Sequence, residues 1–560
     1  MIIHKSISVK QGLFYLSIFF LFLLTILFVF LPIVYTFFVL IQKASIDIIG
    51  SFFDSRLFSV SCFTIFQAFC SSFFATLLGL LLSYFCAKKE FKFRTFLLSL
   101  AAIPVSVPAL IMALSYVFFF GNSGLLNSLV QLVLNNADIR VSNFLYSFFA
   151  VIIIHSFYNF PIALKTITGA WENIDSSLED AAHLLTDNHF IIFRRIIFPS
   201  IFPAIISSFL IIFLYSFFSF LIILLFGGIG LTTLEVELYQ VSRFLGFSLE
   251  SAHIALIETS IASICVALYI FSKSKIYKNA IETQRLKERP RLTRLEYLVF
   301  IPLVSLVIFF LILPLLSLCL KSIFSFQFLD EATSYFEKIK YFFSFQISTW
   351  KNTIFSISTL KALFSTIIVG TITACISVAS ALCLEYLRFF LQVKNKNTHI
   401  VSILPFVSLI VSPLILGFSL KNIFFASSPL SIFILCIAQS VGAWTIADIQ
   451  IQESYFRIPH SIINASLLLS KNYFDAFFRC VLPMLKPGIK TAFFFCFAIS
   501  AGDASLPLVL KIPHFENLSL MIFRLAGTYR FSESAVVSVI LICLVCSAFL
   551  FFDRGKKYEY

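Results

Sequence analysis

Asp180-Ala181-Ala182, followed by Arg195, Pro199 and Pro203, and Asn464-Ala465-Ser466, followed by Arg479, Pro483 and Pro487, are two versions of one pattern set 284 residues apart. They occupy the segments 171–205 and 455–489, two polar stretches that connect long apolar runs. From Ile174 to Pro203 the second copy follows the first without insertion or deletion. An ordinary connection between helices is free to drift in sequence, so kept spacing points to a shared task. A twinned loop is what a membrane protein needs when two copies of a soluble motor grip it symmetrically.

Composition puts the remainder of the chain in a bilayer. Hydrophobic residues make up 59% and charged residues 12%, with a mean hydropathy of +0.98, which leaves too little polar surface for a soluble protein of this size. Twelve apolar runs are long enough to cross a membrane: 12–41, 59–87, 96–120, 143–164, 200–226 and 252–272, then 297–320, 362–386, 400–420, 429–449, 488–510 and 534–552. The expected fold is all-α, a polytopic membrane protein of about twelve transmembrane helices in two parallel six-helix repeats. The first run lacks a small-residue cleavage site and reads as a retained helix.

The repeats divide at a basic segment, 273–296, giving a first permease-like unit over 1–272 and a second over 297–560. Most of the 41 Lys and Arg fall on one side if the amino terminus is inside, as the bias of basic residues towards the cytoplasm requires. Both termini and both loops are then expected in the cytoplasm. The connector, with eight basic and three acidic residues, is the densest source of the net charge of +13, and it is expected to face anionic lipid and not nucleic acid. Of the twelve cysteines eleven lie in the apolar runs and Cys480 lies in the second loop, without metal-ligand spacing, and Cys543 and Cys546 fall inside the last run. No disulfide framework or metal site is expected.

Within the first loop, Leu178, Ala181, Ala182 and Leu185 have helical spacing, and Asp175, Ser176 and Ser177 are available as caps. Arg194 and Arg195 are expected to close a second short helix, and Pro199 to mark the start of a new helix entering the membrane. Pro104 and Pro108 in the third run, with Pro405 and Pro413 in the ninth, predict kinks in corresponding places.

These loops resemble the EAA motif of binding-protein-dependent ABC import permeases: E-A-A, three residues, Gly, nine residues, I-x-L-P. The first copy reads Asp180-Ala181-Ala182, then Thr186, then Ile196-Ile197-Phe198-Pro199; the second reads Asn464-Ala465-Ser466, then Ser470, then Cys480-Val481-Leu482-Pro483. Spacing is kept in both, with Asp and Asn in place of Glu and with Thr and Ser in place of the glycine. The resemblance implies that Asp180, Ala181, Ala182, Thr186, Arg195 and Pro199, with Asn464, Ala465, Ser466, Ser470, Arg479 and Pro483, couple the chain to two copies of an ABC ATP-binding subunit. It also implies an extracytoplasmic solute-binding protein, a small-molecule substrate and a bacterial cytoplasmic (inner) membrane. Nothing matches G-x-x-x-x-G-K-[ST], so ATP and magnesium are expected on the partner and no catalytic residue on this chain.

Fused double permeases of this layout occur among thiamine and ferric-iron importers. Segments 155–161 and 227–240, and Gly502-Asp503 with residues 526–530, look more like the thiamine type. Ionisable groups inside apolar runs are costly and usually line a polar path, which singles out Asp503 and Glu258 as partners for a cation. Tyr158 and Trp444 could meet a cation through their ring faces, although a lone aromatic among so many phenylalanines commonly serves packing. An ion-coupled secondary transporter with two parallel six-helix halves is the alternative. It leaves the twinned loop unexplained.

Overall fold

A computed structural model describes residues 9–42, 55–134, 145–186, 188–227, 231–278, 289–325, 335–394, 396, 398–424 and 430–553. The middle of the basic connector and the Gly228-Ile229-Gly230 stretch lie outside them. Ten helices are long and apolar enough to cross a membrane, and two bent pairs bring the number to twelve. No strand is present among the described residues, only two isolated bridges. Helices dominate because lipid offers no partner to a backbone N–H or C=O, so each segment must satisfy its own. The many hydroxyls hide their polarity the same way: Thr36, Ser61 and Thr64 each donate to the carbonyl four residues back.

The second span, Ser55–Lys88, and the fourth, Phe148–Glu172, pack closely along their length. Their tightest point is Gly79, where an added Cβ would come within 2.6 Å of the Ala163 Cβ and 2.9 Å of the Leu164 backbone nitrogen. Small residues allow such an approach between helices in lipid. Gly79→Val is expected to force the pair apart and cost about 1–3 kcal/mol or more, read as a lower apparent Tm of the detergent-solubilised protein.

Each half lends its first span to the other. The first span, Val9–Gln42, packs on the second half: Thr25 hydrogen-bonds Ser380 at 2.9 Å, and Phe22 meets Trp444 edge-on at 6.0 Å. Reciprocally, the seventh span runs through Arg294–Val307, a wide π-turn over Ile308–Ile312, and Leu313–Ile323. It lies on the first half, with Phe300 against Phe85 at 5.1 Å and Phe310 against Phe157 at 4.8 Å. The Tyr116 hydroxyl donates to the Phe310 carbonyl, one of those the π-turn rearranges.

The proline signals mark true breaks. In the third span the chain passes from Ile103–Ser106 to Ala109–Phe120 through extended Val107 and Pro108. In the ninth, Val401–Ile410 and Pro413–Ile423 meet at 83°. Freed carbonyls are answered by side chains: the Tyr158 hydroxyl donates to Pro104 O (3.0 Å) and Val107 O (2.7 Å), and Thr445 donates to Pro405 O (2.7 Å).

Two boundaries differ from expectation. The fifth span does not begin at 200 but runs from His189 to Phe217, and Leu221–Phe226 is a separate helix. Likewise the eleventh comprises Tyr473–Met484 and Lys486–Gly502, bent by 69°, with Ser505–Leu510 separate. Arg194 and Arg195 therefore do not close a helix. They lie inside a π-turn, Phe193–Ile197, that joins the short loop helix directly to the span. A proline at 199 cannot donate to the carbonyl four residues back, and the turn widens so that Phe198 N–H bonds Phe193 O instead.

Candidate functional site: a mirrored pair of loops

Both loops fold alike. In the first, the Asp175 carboxylate accepts the Ser177 N–H (2.9 Å) and starts a helix over Ser176–Leu185. Asn188 then accepts the Phe190 N–H (3.0 Å) and starts His189–Ile192, which enters the π-turn. In the second, His460–Leu469 is followed by Asn472, which accepts the Asp475 N–H (2.7 Å) and starts Tyr473–Ala476; a π-turn over Phe477–Val481 follows. Capping asparagines and π-turns thus recur at the same interval as the sequence pattern. In the first loop the turn runs on without a break into the fifth span, whereas in the second the chain bends by 69° between Met484 and Lys486.

Burial repeats as well. Asp180 and Ala181 are exposed and Ala182 is buried; Asn464 and Ala465 are exposed and Ser466 is buried. Thr186 and Ser470 are half-buried, while Arg195, Arg479, Pro199 and Pro483 are exposed, and Arg479 pairs with Asp475 at 3.5 Å. The third small position of each motif consequently packs inward, against the chain itself. What each loop presents outward is a leucine pair: Leu184 and Leu185 are 89% and 88% exposed, and Leu468 and Leu469 are both 88% exposed. Of these four leucines only Leu185 is marked by the sequence pattern, as one of the helix-spaced residues and not as an outward contact. The available signal was a Leu-Leu immediately before Thr186 and again before Ser470.

The roots of the loops are anchored by different means. Glu172, at the end of the fourth span, accepts from Arg94 (2.6 Å) and from Arg289 of the connector (2.9 Å), and Arg289 also donates to Ala87 O. At the second root, Arg388 forms a double hydrogen bond with Asp448 (2.7 and 2.8 Å) and a third with Glu385 (2.9 Å), all buried. Tyr386 and Phe389 seat the second loop through Phe477, at ring distances of 5.3 and 5.4 Å.

The four residues read as pathway candidates are not gathered in one place. Asp503 accepts from Gln439 (3.0 Å) and caps Ser505–Leu510 through the Ser505 N–H (2.9 Å). Tyr158 closes the break in the third span; the two meet only indirectly, since Gly502 packs on Pro108. Trp444 is fully buried against the first span. Glu258 is fully buried beside Glu235. The internal repeat explains one of these sites: His155 Nε2 lies 2.7 Å from Ser219 Oγ where the second half has Gln439 and Asp503. A polar bridge at this level is common to both halves.

Residues 75–276, the part of the chain that runs from the second span through the first loop to the sixth span, match the family described as "Binding-protein-dependent transport system inner membrane component". The chain is thus a multi-pass membrane protein whose first repeat is similar to the permease components of this class. A protein described as a probable sulfate transport system permease, from Prototheca wickerhamii, is 26% identical over 179 residues, 32% of this chain and 68% of that protein. The thiamine transport system permease of Brucella abortus is 30% identical over 194 residues, and the match spans only 35% of its length and 34% of this chain. Its counterpart from Haemophilus influenzae is 22% identical over 512 residues, 89% of each chain. The last likeness runs through both repeats.

Proposed function

We propose that this chain is the translocation subunit of an ATP-driven importer, placed in the cytoplasmic membrane with both termini and both loops inside. Each loop seats in one copy of a separate ATP-binding subunit, which holds ATP and magnesium, and a solute-binding protein delivers cargo at the opposite face. One observation carries this reading: two leucine pairs, almost fully exposed, stand at the same register of two loops that are otherwise unalike at those flanking positions. An apolar pair so exposed in water is unfavourable unless a partner covers it. Both loops offer such a pair, so two partners are needed.

The π-turns supply the mechanics. Because the short helix after the first loop continues into the fifth span, a push on that loop is delivered to the span, whereas a push on the second loop crosses the 69° bend between Met484 and Lys486 before it reaches the eleventh. The cargo is thiamine or a related organic cation. Supporting this choice are relatives described as thiamine transport permeases and carboxylates buried inside the membrane region.

Proteoliposomes holding the chain with its ATP-binding subunit and binding protein test the reading. Thiamine accumulation is expected only with all three proteins and hydrolysable ATP. Uptake at full rate without nucleotide would instead support the ion-coupled alternative.

A further inference from the structure

Glu235, on the helix Leu234–Leu245 that precedes the sixth span, and Glu258, within that span, are both 0% exposed, and their carboxyls lie against each other. None of the four oxygens has a hydrogen-bond partner of good geometry, and no ion pair reaches them among the described residues. Buried carboxylates normally find a cation, a donor or a proton. The helices that carry this pair pack on the broken ninth span of the other half. Ser412, at that break, lies against Glu235 and caps Pro413–Ile423. The pair therefore sits on a seam between the two halves.

The internal repeat acts as a control for whether the fold requires acids there. Leu234 N–H bonds Thr64 Oγ1 (3.0 Å), and Leu518 N–H bonds Thr366 Oγ1 (2.9 Å), which fixes the correspondence of the two preceding helices. The next residue is Glu235 in one and Ser519 in the other, and Ser519 is satisfied by donating to Ala501 O (2.8 Å). In the closing spans, Ser251-Ala252 matches Ser534-Ala535, which puts Leu541, fully buried, where the first half has Glu258. Serine and leucine fill these places in an otherwise equivalent seam. Two acids in their stead serve something other than packing.

We propose that Glu235 and Glu258, facing Ser412 across the seam between the halves, form a cation-binding site that takes the positive charge of an organic cargo when the seam opens. The inference rests on the import reading above. A monovalent organic cation fits better than a metal ion, since no group of three or more His, Cys, Asp or Glu suited to hold a metal occurs among the described residues. It also gives the two halves unequal tasks, because the equivalent seam lacks the acids.

Binding of radiolabelled thiamine to the full chain, purified with its ATP-binding subunit in nanodiscs, tests the site, with choline as a competing cation. Glu258→Gln and Glu235→Gln are each expected to weaken thiamine binding tenfold or more, and Glu250→Gln, an exposed position at the head of the same span, to leave it unchanged. Should the Gln variants lose their native elution profile, Glu235→Ser and Glu258→Leu install the residues that the other half already tolerates. Equal binding by wild type and variants overturns the site, as does wild type that binds neither cation. ATP-dependent thiamine uptake measured in parallel separates the two readings: uptake retained by every variant sinks the site alone, whereas wild type without ATP-dependent uptake sinks the importer assignment.

Discussion

Leu185→Asp combined with Leu469→Asp is expected to abolish co-purification of the ATP-binding subunit and to reduce uptake by two or more powers of ten, with unchanged amounts of chain in the membrane. Both side chains are 88% exposed, so their loss removes nothing that holds the chain itself together. Fully burying a leucine is worth about 1.5–3 kcal/mol, and a carboxylate forced into the same apolar seat adds a desolvation cost of several kcal/mol. With about 1.4 kcal/mol per tenfold change in affinity, each loop loses far more than a factor of ten. The single variants should each retain one grip, giving partial co-purification and an uptake defect that identifies the more demanding loop. Full binding by the double variant would show that the leucines are not the contact.

The largest effect on stability is expected at Arg388. Arg388→Met leaves Asp448 and Glu385 buried together without their cation, and breaking a buried pair in this way costs about 3–5 kcal/mol. Thermal aggregation of the solubilised protein should move to clearly lower temperature. The first half shows how the same place is filled without charge. By the correspondences of Thr64 with Thr366 and Leu234 with Leu518, Arg388 stands where the first half has Cys86, and Asp448 stands where it has Leu164, both fully buried. Arg388→Met with Asp448→Leu and Glu385→Gln is accordingly expected to recover most of the lost stability, as apolar replacements of buried ion pairs commonly do. A triple variant as unstable as the single one would mean that the charges have a further task at the root of the second loop.

Much of this architecture could be read in advance because the bilayer imposes simple rules. Apolar runs of sufficient length become helices, and the prolines at 108 and 413 break two of them as expected. What could not be read was governed by contacts between segments distant in the chain. Nothing in residues 193–197 announces a π-turn until Pro199 is seen to deny a bond to the turn before it. Leu178, Ala181, Ala182 and Leu185 read as one stripe of a helix, yet only Ala182 of the four is buried. Asp503 drew notice as a charge in an apolar run, yet it caps a helix. Glu235 escaped notice because it sits in a polar-looking segment whose burial arises only when the ninth span of the other half covers it.

The exchange of opening helices has an outcome for how the molecule holds together. Val9–Gln42 reaches over to one bundle while Arg294–Ile323 reaches back to its neighbour, so the bundles are hooked like clasped hands. The two halves expressed as separate chains, 1–278 and 289–560, should therefore still migrate as a single particle, parting only when detergent or heat unhooks the fingers.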